Sequence, residues 1–502
     1  MSLKQPKLSP QDRKFVAAQG ISTKLIAKQI QHLQRGSPLI PIVRQADLED
    51  GIQNIDHDSD RLRRIGEHFI QTKKVEKFVP ASGAASRMFR DLHGWLNGKN
   101  FSRKKIESFS INLIKFPFFP ILRKKFPDCT RARHEPEILQ KIIRYLLSPE
   151  GLNYGQFPKA LIPFHRYRIE GRTPLEEQIV EGINYVKDGQ NRVRLHFTLA
   201  QDSEAFIKKF VDSAVRRYER KYKVRLYIRF SLQEPSTQTI AIDEQGRLFR
   251  TPDRSLLLRP GGHGALLRNL DGLNADYVFI KNIDNVVKDS LKPLMTNYKK
   301  AMLGYLAEHQ LKIFSILKEI KDRSNRTIDI QGIIKYIQDN LCIQIDTNVI
   351  LQSSLRTKQL LFNLLNRPIR VCGMIAAGGP VGGGPFWVKQ ESLTTLQIIE
   401  DAQLSPLQKK RFLKKSKFFH PADIVCGIRN FEGKKFNLKK YVDSETVIIT
   451  EKNWQGHRLK CFEYPGLWNG GMGRWISLFV ETPREIFAPV KEINDLLLPA
   501  HQ

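Results

Sequence analysis

The spacing of apolar residues changes character several times along this chain, and each change predicts an element. TKLIAKQIQHL (23–33) and IGEHFI (65–70) repeat their apolar positions with helical periodicity, so residues 1–70 read as a polar, helical N-terminal segment. VEKFVP (75–80) reads as a strand that runs into the small-residue turn ASGAASR. A helix is expected over Ala85–Leu96, ending near Gly98. Residues 100–150 contain FPFFP, whose prolines flank aromatics and predict an inserted surface segment. From residue 155 strands and helices alternate: RLHFTLA, then the helix DSEAFIKKFVDSAVRRYERKY, then VRLYIRFSLQ. ADYVFIKNID is almost continuously apolar, as expected of a strand buried on both faces. This order predicts an α/β fold, a mostly parallel sheet covered by helices. Residues 290–367 read as a charge-rich helical stretch, and strand and turn material returns from 370. The predicted organisation is a helical segment 1–70, a core 71–395 with insertions at about 97–150 and 290–367, and a C-terminal portion 396–502.

Composition narrows the partners. At 502 residues the chain exceeds one ordinary domain, and 41% hydrophobic with 26% charged residues is the balance of a folded globular protein. No apolar run approaches the roughly 20 residues that span a bilayer, so no membrane partner is expected. The opening MSLKQPKLSPQDRKF lacks the apolar core of a signal peptide, which predicts a cytoplasmic location. Cys129, Cys342, Cys372, Cys426 and Cys461 form no CxxC pair, so reduced thiols are expected rather than a zinc site or a disulfide framework. The net charge of +31 favours anionic partners: nucleic acid, a membrane surface or phosphorylated small molecules. Residues 101–148 hold 11 Lys/Arg against 4 Asp/Glu, and KKRFLKKSK (409–417) is a second dense patch. Neither carries the aromatic or metal-binding signatures of a nucleic-acid module, so nucleic acid stays a lesser alternative to solvated helix faces.

Five segments could carry chemistry, since ligands of parallel sheets gather at the carboxyl ends of strands. In SGAASR (82–87), small residues let main-chain N–H groups approach an anion and Arg87 adds a forked donor; a tight packing turn has the same composition. Lys159 follows a proline in FPKALIPF, and TPLEEQIVEG beyond it reads as a helix capped by Thr173, Pro174 and Glu176. RPGGHG places Gly261, Gly262 and Gly264 around His263, a loop that either lies flat against a base or simply connects elements. FIKNIDNVV ends a strand at Asp284, a carboxylate suited to Mg²⁺ or to capping a turn. The last segment holds Asn469 in a glycine turn and Lys491 in FAPVK. GxxxxGK[ST], HExxH and GxSxG are all missing, which disfavours P-loop, zinc-protease and esterase chemistry.

In order, SGAASRM, FPKALIPF, RPGGHG, the strand ending NIDN and FAPVK resemble the UDP-sugar pyrophosphorylases of the GT-A-like nucleotidyltransferase superfamily. More closely, PASGAASRMF, QEPSTQTIAID, RPGGHGALLRNL, FIKNIDNVV, GGGPFW, PADIVCGI, PGLWNGGM and PVKEINDLL look like a bacterial family, domain of unknown function 4301, over roughly residues 60–502. The resemblance implies a GT-A-like (Rossmann-like) core with helical insertions and a C-terminal α+β portion. It implies transfer of a nucleotidyl group, with Mg²⁺, from a nucleoside triphosphate, UTP above all, to a sugar-1-phosphate, releasing pyrophosphate. A non-catalytic nucleotide-sugar-binding protein of the same fold is the alternative. Carried over, Arg87 and Lys159 hold the phosphates above Ser82, Gly83 and Ala84, and Lys491 serves the sugar phosphate or the reacting phosphate. Gln233, Gly262, His263 and Gly264 face the base and ribose, Gly383, Gly384 and Asn469 the sugar phosphate, and Asp284 the metal. Three departures stand out. The superfamily loop usually reads GGxGTR, so Ala85 occupies a glycine position expected to need positive φ. SGAASR and FPK lie far apart in the chain, and IAAGGPVGGGPFW carries no acidic residue just before its glycines.

Overall fold

The computed structural model describes residues 8–83, 85–168, 170–322, 328–346, 354–378 and 382–502. The protein is a mixed α/β chain whose contacts divide it into two compact units that alternate along the sequence. Unit 1 is Met1–Ile65, Leu232–Val278 and Met302–Glu481; unit 2 is Gly66–Ser231, Phe279–Ala301 and Thr482–Gln502. No helix among the described residues is long and apolar enough to cross a membrane.

Unit 2 is built on strands in the spatial order Tyr277–Lys281, Val75–Pro80, Arg192–Leu199, Arg225–Leu232. Val75–Pro80 and Arg192–Leu199 run parallel, with Phe78 opposite His196. Tyr277–Lys281 is buried at every residue, as its apolar run predicts. The helix Pro174–Tyr185 begins as the sequence predicts: Thr173 accepts from the Glu176 N–H, and the Glu176 carboxylate accepts from the Thr173 N–H. Its burial is not what an amphipathic pattern predicts, because Glu176, Glu177 and Glu181 are all buried. Pairing resolves this. Lys77 and Lys281, fully buried in the strands, reach Glu181 at 3.0 and 2.9 Å.

Two expectations are corrected here. The helix predicted over Ala85–Leu96 is broken: a single 3₁₀ turn, Ala85–Arg87, precedes Arg90–Leu96, and the break lets Ala85, Met88 and Phe89 all enter the core. FPFFP is not a surface segment. Phe116, Phe118 and Phe119 are buried with Phe109, Leu122, Ile142 and Leu146 in a cluster that also takes Val490 and Ile493. The short prolines-and-aromatics run is the centre of a helical layer formed by Arg103–Ile111, Phe119–Lys125 and Pro136–Leu147.

In unit 1, strand Ile369–Ala376 pairs parallel with Ile476–Glu481 and antiparallel with Asp423–Gly427. A second sheet holds the hairpin Gly383–Gln390 and Leu393–Glu400, in which Gly383 lies opposite Glu400. A third joins Thr239–Ile242 to His457–Glu463, covered by the amphipathic helix Thr23–Arg35 through Ile26 and Ile30. Residues 290–367 are helical over Lys292–Lys321, Ile330–Leu341 and Ser354–Leu365, but they also contribute the short strand Ile343–Ile345. All five cysteines are buried free thiols.

Candidate functional site

The carboxyl ends of Val75–Pro80 and Tyr277–Lys281 lie side by side in unit 2, where the Ile283 N–H donates to the Pro80 carbonyl at 3.2 Å. Three sequence-predicted residues meet at that edge. Asp284 follows its strand into the turn, and its Oδ2 accepts from Lys159 Nζ at 2.8 Å and from Lys491 Nζ at 2.9 Å. Burial alone would push the Asp284 carboxyl up, but Lys159 and Lys491 outweigh it and hold it below its ordinary range. Lys159 is itself buried, and that burial lowers its ammonium pKa despite the pull of Asp284. Lys491 differs: its side chain is 64% exposed, so its charge faces solvent. Two ammonium groups thus share one carboxylate oxygen, and a second carboxylate, Asp495, lies beside them: it accepts from the Lys491 N–H at 2.6 Å and acts on the Lys159 ammonium. The lysines present charged N–H donors of the kind that phosphate oxygens accept from.

The small-residue turn sits beside this cluster. The Lys159 N–H approaches the Gly83 carbonyl within 3.4 Å, so fold geometry closes the long sequence gap between SGAASR and FPK. Gly83 is exposed, and nothing lies within 4 Å of where a Cβ would stand. Ser82 is half-buried, Arg87 is exposed on its 3₁₀ turn, and Ala84 lies outside the described residues. Ala85 is buried and opens the 3₁₀ turn Ala85–Arg87. The segment carrying Lys491 is tied to the same edge: the Val490 N–H donates to the Asp284 carbonyl at 3.1 Å and the Ile493 N–H to the Met88 carbonyl at 3.0 Å.

A second layer of charge lies in the same unit and was invisible in the sequence. Glu177 accepts from His165 Nδ1 at 2.8 Å, Lys292 Nζ at 2.6 Å, Arg172 at 3.2 Å and the Tyr167 hydroxyl at 3.0 Å. His165 Nε2 in turn meets His501 Nδ1 at 2.8 Å. Both contacts are satisfied by neutral rings if His501 donates to His165 and His165 to Glu177. Burial, aided by His165, pushes His501 down to about 3. An unfolded histidine takes its proton near 6.5, so this contribution to stability is complete above that pH and lost as pH falls below it. His196, pushed down to about 4 by burial and by Arg229, acts in the same direction. We expect the urea midpoint to fall between pH 7 and pH 5, His501 alone contributing about 2 kcal/mol at pH 5, and His501→Gln to flatten that slope. An unchanged slope in the variant would contradict the assignment.

The remaining predicted residues lie in unit 1. His263 packs against Trp468 in a tilted arrangement with ring centroids 4.3 Å apart, accepts from the Leu467 N–H at Nδ1 and places Nε2 3.0 Å from Glu400 Oε1. The glycines beside it serve packing: a Cβ on Gly264 would stand 2.1 Å from the Pro465 carbonyl, and Gly262, at φ +74°, backs onto Glu463. Asn469 is fully buried and donates to the Ile398 carbonyl at 3.0 Å. Gly383, at φ +149°, leaves no room for a side chain against the Ile399 carbonyl, and Gly384 abuts Ser416. Gln233 is half-buried beyond the end of Arg225–Leu232. Across the hairpin, the register partner of Gly383 is an acidic residue, Glu400, the same one that meets His263. Sequence reasoning passed over Glu400 because only strand register brings it there.

The family described as domain of unknown function (DUF4301) matches residues 9–502, and the chain belongs to that family. Among solved structures it is similar to the uridine diphosphate N-acetylglucosamine pyrophosphorylase from Trypanosoma brucei, at 12% identity and a TM-score of 0.46, covering 97% of this chain and 79% of that one. It is also similar to the UDP-glucose pyrophosphorylase from Leishmania major, at 13% identity and a TM-score of 0.44, covering 98% and 79%. No curated protein matches the sequence.

Proposed function

We propose that this member of the DUF4301 family is a nucleotidyltransferase that joins a nucleoside triphosphate, UTP first among candidates, to a sugar-1-phosphate and releases pyrophosphate. The observation that carries the reading is the convergence of Lys159 and Lys491 on one oxygen of Asp284, beside the exposed Gly83 turn. The ordered motifs that resemble UDP-sugar pyrophosphorylases support the same assignment.

In this reading, an oxygen of the sugar-1-phosphate attacks the α-phosphorus in line. The bond from that phosphorus to the pyrophosphate oxygen breaks, and the electron pair leaves with pyrophosphate. No protein nucleophile is required. Positioning and charge neutralisation supply the rate, and both are what fixed lysines provide. Lys159 and Arg87 neutralise the departing phosphates over Ser82, Gly83 and Ala84, while Lys491, whose charge faces solvent, holds the reacting phosphate. Asp284 is the residue that would hold Mg²⁺. A single carboxylate suits that ion when phosphate oxygens and waters complete its shell, and the bound ion would neutralise charge on the reacting phosphates. The expectations for unit 1 remain proposals: Gln233, Gly262, His263 and Gly264 as nucleotide contacts, and Gly383, Gly384 and Asn469 as sugar-phosphate contacts. A protein consuming nucleoside triphosphates would act in the cytoplasm.

The test is NDP-sugar formation across a panel of nucleoside triphosphates and sugar-1-phosphates with Mg²⁺. Arg87→Ala and Lys159→Ala should each lower the rate at least about tenfold. Tight binding of a UDP-sugar with no product from any pair would instead make the chain a nucleotide-sugar-binding protein. Salt-sensitive binding of RNA or duplex DNA without either would favour the nucleic-acid alternative.

A further inference from the structure

We infer that Asn285 is a positioning residue that fixes Lys491 against Asp284. Lys491 sits on a flexible four-carbon stem with 64% of its side chain exposed, so the place of its charge depends on how firmly its backbone is held. The residues just before it are Ala488, Pro489 and Val490, and proline has no N–H to give. That leaves two main-chain donors. The Val490 N–H goes to the Asp284 carbonyl at 3.1 Å, a bond any residue at 284 could accept. The Ala488 N–H goes to Asn285 Oδ1, also at 3.1 Å, and this is a side-chain tether. Asn285 and Pro489 also face each other as an isolated antiparallel bridge. Beyond the lysine, Asp495 Oδ2 accepts from the Lys491 and Glu492 N–H groups at 2.6 and 2.7 Å, so the turn is clamped on its far side too. Asn285 is 2% exposed and directly follows Asp284, so one short turn carries the carboxylate and the group that holds its lysine partner in register.

The catalytic consequence rests on the nucleotidyltransferase reading, whereas the positioning does not, and the experiment separates them. Asn285→Ala removes the acceptor; Asn285→Asp keeps an acceptor oxygen for the Ala488 N–H. Asn285→Ser, whose hydroxyl is too short to reach, replaces the alanine variant if that one does not fold. Lys491 acylation by an N-hydroxysuccinimide ester is followed by mass spectrometry, with other exposed lysines of the same chain as the internal reference. Loss of the acceptor should raise the relative labelling rate of Lys491 several-fold and Asn285→Asp should restore it. Turnover should divide in the same way: kcat falls by about tenfold or more in Asn285→Ala with little change in KM, and recovers in Asn285→Asp. Labelling and kcat unchanged by alanine or serine, or labelling raised and kcat lowered equally in the aspartate variant, would overturn the inference. Wild-type protein without turnover would overturn the enzymatic reading instead, and the labelling comparison would still decide the role of Asn285.

Discussion

Glu181→Leu is expected to be the most destabilising single substitution in unit 2. Glu181 is fully buried and is the carboxylate on which Lys77 and Lys281, both also fully buried, converge. Burial pushes its carboxyl up, yet Lys281 and Lys77 outweigh that and hold it down at about 2. Lys77 is lowered as well, to about 7, mainly by burial. Lys299, fully buried as well, is held far below the ordinary lysine range by burial and by Lys281. Removing the anion leaves the buried Lys77 and Lys281 side chains without their shared partner. Breaking a buried pair from one side costs about 3–5 kcal/mol, a large share of the roughly 5–15 kcal/mol that keeps a domain folded. The urea midpoint should fall accordingly. The triple variant Lys77→Met, Glu181→Leu, Lys281→Met should recover most of the loss, because it removes the charges together. A single variant as stable as the wild type would show that the cluster carries no net charge to balance.

The largest effect on activity is expected from Asp284→Asn. The amide keeps the side-chain shape but withdraws the charge shared by Lys159 and Lys491. Lys159 is buried and would lose its counter-ion, so its ammonium pKa would fall further and its protonated fraction with it. The proposed Mg²⁺ would lose the carboxylate assigned to it. These effects act on the same reacting phosphates, so a loss of about hundredfold or more in kcat is expected, with a modest change in melting temperature. Turnover close to that of the wild type would remove both the metal assignment and the idea that Asp284 organises the two lysines.

Elements whose cause is local could be read directly from the chain. The strand Val75–Pro80, the capping box at Thr173 and Glu176, and the long helix from Glu204 follow from residues only a few positions apart. The site edge was legible for the same reason, since the strand ending NIDN places Asp284 whatever surrounds it. What escaped depended on distant partners. Lys77 and Lys281 look like solvent-facing residues until Glu181 is seen behind them, and FPFFP looks like an exposed insertion until the Pro136–Leu147 helix covers it. Glu400 reaches Gly383 only through hairpin register, and His501 meets His165 only once the fold closes. The concern over Ala85 came from comparing letters rather than dihedrals. In the folded chain that residue is buried at the start of a 3₁₀ turn, which the letters alone did not show.

The proposed role of the two lysines gathered on Asp284 is transfer of a nucleotidyl group. It is tested most directly by pyrophosphate release, measured for the wild type and for Lys491→Ala with UTP, Mg²⁺ and a panel of sugar-1-phosphates. Release should require both substrates and fall by at least about tenfold in the variant, while the melting temperature stays near that of the wild type. Release that proceeds equally well without Lys491, or no release with any nucleoside triphosphate and sugar-1-phosphate, would contradict it.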